Sequence, residues 1–179
     1  MSLELRNTLW NLLQIYVWAD GNQSVVFMKH QSTQIQNLCH KLWFEFFKRP
    51  LDTMDPHWVN VVQALRKYFF QCEWYEAYDF VEFVAHNYFP KRDQLIRSCN
   101  QMLERESSGY RFLDGVLSPI TDKVEINEVD QALEGPEDPV RAHLRRALEL
   151  LSDKANPDYR NSIKESISAV ESLVASTVG

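Results

Sequence analysis

Apolar positions along this chain recur mostly at helical spacing, broken by short polar or proline-containing stretches. Leu5, Leu9, Leu12, Leu13 and Tyr16 predict a first helix over about 3–18, ended by Gly21-Asn22. A second is expected over about 25–48, broken near Gln31-Ser32-Thr33. Its last part, Leu42-Trp43-Phe44-Glu45-Phe46-Phe47, is apolar on nearly all sides and is expected to be well buried. Arg49-Pro50 stops it, and Asp55-Pro56 restarts a helix with a cap and a first-turn proline. Trp58, Val62, Leu65, Phe69 and Cys72 form its stripe. A fourth helix, about 73–88, turns Trp74, Ala77, Tyr78, Val81, Val84, Ala85 and Tyr88 one way, until Pro90. A fifth, about 92–106, buries Leu95, Cys99, Met102 and Leu103.

After Ser107-Ser108-Gly109 the rhythm changes to that of strands. Tyr110 to Leu113 and Val116 to Ile120 flank Asp114-Gly115, a pair suited to the positive φ angles of a type I′ turn. Pro119 has no N–H to give a ladder and belongs on an edge. Helical spacing then returns over about 122–133 (Val124, Ile126, Val129) and 140–154 (Val140, Leu144, Ala147, Leu148, Leu151). The last helix opens on Asn156 as cap, Pro157 in the first turn and Asp158 near the positive end of the helix dipole. It carries an apolar stripe of Ile163, Ile167, Val170, Val174 and Val178. That stripe needs a partner, and the sequence ends just after it, so the helix is expected to open a unit that is mostly missing. The fold class is mainly α: a multi-helix bundle with one small two-stranded β-hairpin at about 110–120. Gly135 to Pro139 is the best candidate boundary, giving domains 1–135 and 136–179.

Composition sharpens this picture at three points. Five glycines in 179 residues disfavour a many-turned all-β fold. A formal charge of −6 argues against a surface that grips nucleic acid all over, although a local basic patch is compatible with it. Cys39, Cys72 and Cys99 are odd in number and far apart, which predicts reduced thiols and a cytoplasmic setting. The first residues are too polar for a signal peptide, and no apolar run approaches the ~20 residues of a membrane span.

The search for chemistry excludes more than it finds. Glu73, Glu76, Asp79 and Glu82 step by three around a helix, drift in angle, and read as a solvated face. Glu82 and His86 are four apart rather than in the Glu-x-x-His spacing of di-iron bundles. His30, His40, His57, His86 and His143 are scattered, so no metal site and no cofactor is expected. No Gly-x-Ser-x-Gly elbow and no glycine-rich phosphate loop occurs. Lys91, Arg92 and Arg97 gather on one helix, and Arg141, Arg145 and Arg146 on another. Both clusters read first as solvated faces, then as candidate contacts for RNA or an acidic partner.

Three segments add a resemblance. Cys72-Glu73-Trp74-Tyr75-Glu76-Ala77-Tyr78-Asp79-Phe80-Val81-Glu82-Phe83, Leu103-Glu104-Arg105-Glu106-Ser107-Ser108-Gly109-Tyr110-Arg111-Phe112 and the stretch from Asn156 to Leu173, with the opening Leu5 to Trp10, resemble the helical N-terminal domain of AbiJ-type abortive-infection proteins. The resemblance implies prokaryotic antiviral defence. It also implies a C-terminal HEPN domain, a helical bundle often carrying RNase activity, for which the Asn156 helix would be the beginning. HEPN nucleases use an Arg separated from a His by four to six residues on one helix, and no Arg in this chain has a His so placed. No catalytic residue is therefore carried over. Arg160 and Glu171 flank the apolar stripe and join Arg141, Arg145 and Arg146 as candidate partner or RNA contacts.

The expectation is thus a non-catalytic sensor, regulatory or interaction domain. Ile163, Ile167, Val170 and Val174 would dock another copy or the missing C-terminal bundle. The rival is an RNase completed by downstream sequence or by dimerisation, with Arg160, His143 and Glu171 of two copies forming its site. A third reading is RNA binding through the basic helices. No membrane and no metal partner is expected.

Overall fold

A computed structural model describes residues 1–21, 33–135 and 138–178. The beginning of the second predicted helix, its break at Gln31-Ser32, and Pro136 lie outside the described residues. The chain divides into two compact units, Met1–Glu106 and Ser107–Gly179. Among the described residues there are eight α-helices and one two-stranded antiparallel hairpin. The mainly helical class is therefore as the sequence predicts.

In the first unit, α1 (Leu3–Tyr16) starts where the Ser2 hydroxyl accepts the Leu5 N–H at 3.1 Å. A 3-10 turn, Trp18–Asp20, follows it. α2 (Gln34–Lys41) opens with a reciprocal cap between Thr33 and Gln36. It runs into a π turn, Leu42–Phe46. The wider turn rotates successive side chains less than an α-helix would. Leu42 and Trp43 go inward, while Phe44 is left 67 % exposed. The expectation of a wholly buried 42–47 segment is corrected accordingly.

α3 (Trp58–Gln71) starts later than the Asp55-Pro56 pair predicts. The Asp55 carboxylate accepts the His57 N–H at 2.8 Å, folding a turn before the helix instead of capping a helix that begins at Pro56. α4 (Trp74–Asn87) uses two of the regularly spaced carboxylates for its own start. Glu73 and Glu76 cap each other's backbone, with the Glu73 N–H donating to Glu76 at 2.8 Å. α5 (Arg92–Arg105) completes the unit.

These helices meet over rings. Trp10 and Phe69 have centroids 5.5 Å apart, Phe46 and Phe80 5.7 Å, and Phe47 and Tyr68 4.8 Å. Offset and edge-on pairs of this kind add about 0.5–1.5 kcal/mol each beyond the area they bury. Leu9, Leu13, Leu65, Val81, Leu95 and Cys99 close the packing around them. Arg6 donates to the carbonyls of Phe69 and Cys72, both at 2.9 Å, and so satisfies the open end of α3. Burial pushes the thiols of Cys39 and Cys99 up to about 12, which keeps them protonated and weakly nucleophilic.

In the second unit, β1 (Arg111–Leu113) pairs with β2 (Val116–Ser118). Arg111 lies opposite Ser118, Phe112 opposite Leu117, and Leu113 opposite Val116. Asp114 and Gly115 turn the corner at φ 45° and 83°, the positive angles their residue types tolerate. α6 (Lys123–Leu133) is capped by Asp122, and α7 (Pro139–Ser152) by Asp138 with Pro139 in its first turn. α8 (Tyr159–Val178) ends the described chain. Leu113, Leu133 and Leu148 form a small core, with Ile120, Ile126, Val129 and Leu144 packed against it. Val124 sits in the first turn of α6 and is 63 % exposed. A buried hydroxyl–hydroxyl hydrogen bond between Ser118 and Ser152 fastens β2 to α7. No helix among the described residues is long and apolar enough to cross a membrane.

Candidate interaction surface

The candidate residues collect on α7 and α8, which pack side by side along their length. A tight loop joins them. The Asp153 carboxylate accepts the N–H groups of Ala155 and Asn156, at 3.0 and 2.8 Å. Asn156 is therefore a loop residue, and the predicted start of α8 shifts. Asp158 does the capping: it accepts the Asn161 N–H at 3.0 Å and the Asn161 side-chain amide at 2.6 Å. Those two hydrogen bonds hold its carboxyl below the usual range, with a smaller pull from Arg160 and Arg146.

α8 meets α7 through its small residues. Ser162 and Ala169 are buried, and Ser168 and Ser172 are half-buried. The Ser162 hydroxyl donates to the Ala147 carbonyl at 2.9 Å, and Ser166 donates to Ser162 at 3.0 Å. On α7 the buried partners are Ala147, Leu148 and Ser152. Short side chains let the two backbones approach, since axis separation follows the side chains at the contact. His143 adds a polar bracket, its Nδ1 lying 2.7 Å from Glu165 Oε2.

The apolar stripe follows from this by rotation. Ile163 and Val170 each come one residue after Ser162 and Ala169, about 100° further round the helix. Ile163 is turned out from the α7 contact, and Val170 stands at the rim of a groove shared with Val140, Arg141 and Leu144 of α7. Ile163 is 62 % exposed, Ile167 55 %, Val170 60 % and Val174 55 %. Tyr159 and Leu173 extend the apolar surface and are exposed as well. The Val178 side chain falls outside the described residues. Together the four stripe residues and Leu173 make a continuous exposed aliphatic row along α8.

The basic candidates have other occupations. Arg141 is ion-paired with Asp138 and donates to the Glu134 carbonyl at 2.6 Å. Arg145 reaches Asp114 at 2.8 Å, tying α7 to the hairpin turn. Arg146 pairs with Glu149 at 2.9 Å. On the first unit, Lys91 pairs with Asp20 at 2.8 Å. Much of the positive charge on α7 is thus matched locally. Arg160 and Glu171 are exposed on α8, eleven residues apart and so about 16 Å along the axis. Within one copy His143 meets Glu165 rather than either of them. No group of three or more His, Cys, Asp or Glu side chains among the described residues is arranged to hold a metal ion.

Sequence reasoning missed the packing face of α8 and the His143–Glu165 pair. The signal for the first was the recurrence of Ser162, Ser166, Ala169 and Ser172 at helical spacing. Nothing local to Glu165 pointed to the second, because its partner lies on another helix. Comparison with curated proteins and with solved structures finds no match. A family model described as AbiJ N-terminal domain 4 matches residues 1–135, from α1 through α6. With 135 of its 179 residues covered, the chain belongs to the AbiJ N-terminal domain 4 family.

Proposed function

We infer that this chain is a non-catalytic regulatory or sensing domain that acts by docking. Membership of the AbiJ family suggests an abortive-infection defence protein. The observation that carries the docking role is the exposed aliphatic row of α8, displayed because small residues occupy its α7 face. On this reading the protein works in the prokaryotic cytoplasm, and any RNase chemistry belongs to a HEPN-like bundle in further sequence or in a partner.

The rival is a composite RNase built by two copies from Arg160, His143 and Glu171. In its favour, Arg160 and Glu171 flank the outward face where a second copy would arrive. RNA binding through α7 has less support, since Arg141, Arg145 and Arg146 are each engaged by an acidic neighbour. The test is incubation of the purified 179-residue chain with RNA, with and without divalent metal, beside expression of Arg160→Ala in cells. The docking reading predicts intact RNA and unchanged toxicity. Cleavage by the wild type that Arg160→Ala abolishes would overturn it in favour of the rival.

A further inference from the structure

The outward residues of α8 follow a stricter pattern than exposure alone requires. Ile163, Ile167, Val170 and Val174 are separated by steps of four, three and four. This is the spacing of a two-helix coiled-coil seam, in which Ile167 and Val174 would take one core position and Ile163 and Val170 the other. In an antiparallel pair, each position of the first kind faces one of the second on the opposite helix. One register satisfies this throughout: Ile163 faces Val174 of the second copy, and Ile167 faces Val170 of the second copy. Both pairings share a single two-fold axis crossing α8 between Ser168 and Ala169. An interface built on this register would be isologous, the commonest closed symmetry of homo-oligomers.

The flanking charges select that arrangement. In the same register Lys164 lies beside Glu171 of the second copy, and the symmetry repeats the pair. Both side chains are exposed, and neither has an ion-pair partner among the described residues. On the other edge Ser166 lies beside Leu173 of the second copy, leaving no charge unmatched. A parallel pair in register would set Ser166 near the charged flank and match neither Lys164 nor Glu171. The seam ends in polar residues, with Arg160 beyond Ile163 and Thr177 beyond Val174.

We propose that α8 forms an antiparallel homodimer seam, with Ile163, Ile167, Val170 and Val174 as its core and reciprocal Lys164–Glu171 pairs along one edge. This names the occupant of the docking face and rests on that part of the functional reading; it does not depend on the absence of catalysis.

Sedimentation equilibrium of the full chain tests it, with circular dichroism confirming that each variant folds. Wild type is expected to dimerise reversibly. Lys164→Glu alone sets Glu against Glu twice, and Glu171→Lys alone sets Lys against Lys twice. Each is expected to weaken association by about tenfold or more at low salt. An equimolar mixture of the two variants regains both attractive pairs and is expected to associate like wild type. The double variant, Lys164→Glu with Glu171→Lys, is expected to do the same by itself. A wild type that stays monomeric at every concentration would overturn the proposal and leave the face to another partner, while RNA left intact would still support the docking reading. A dimer indifferent to both single changes, or a mixture that fails to reassociate, would overturn it equally.

Discussion

Gly21 occupies a place where a single extra carbon has nowhere to go. A Cβ added there would lie 2.1 Å from Cε2 of Trp58 and 2.2 Å from Cζ2. Its backbone, at φ −80°, is open to any residue, so the constraint is space and not conformation. The obstacle is a buried indole, which cannot step aside as a flexible side-chain end could. Gly21→Ala is therefore expected to cost about 1–3 kcal/mol, the usual range for overpacking. A urea melt measures it, and an unchanged midpoint would show that the Trp58 ring relaxes freely.

At the level of elements, the start of α8 separates two readings of one short stretch. The sequence favours Asn156 as cap, whereas the geometry assigns that role to Asp158. Asp158→Ala is expected to lower stability, as loss of a helix cap does, with fraying of the first turn in amide exchange. Asn156→Ala should do much less; equal effects from the two would contradict the assignment. The same contrast shows what was legible. Helix existence and order were readable because apolar residues recur at fixed steps, and the hairpin because Asp114-Gly115 tolerates positive φ. Phe44 was misjudged, because a π turn rotates side chains away from the face that α-helical spacing predicts. Of the candidate surface, the stripe was readable as a pattern. The occupation of Arg141, Arg145 and Arg146 was not, since it depends on acids brought near by the fold, Asp114 above all.

For the molecule as a whole, the acid side of its stability has an identifiable contributor. Within the first unit Asp20 accepts hydrogen bonds from Lys91 and from the Tyr88 hydroxyl, both distant in sequence. Lys91 foremost, then Tyr88, holds its carboxyl below the ordinary value of 3.8. A depressed carboxyl stabilises the folded state above its unfolded pKa, and that contribution fades as pH falls through the folded value. Asp20→Asn is expected to lower stability near neutrality and to flatten the loss of stability below about pH 4. Parallel pH profiles for variant and wild type would contradict this.

The aromatic packing of the first unit has an optical consequence. Trp10, Trp18, Trp43, Trp58 and Trp74 all precede Ser107, and no indole follows it. Intrinsic emission excited at the red edge therefore watches only one half of the chain. The hairpin, α6, α7 and α8 are dark to it, and a titration followed that way would be silent on whatever happens along the final helix. Tyr159, standing in the first turn of α8, is the natural place to install a reporter.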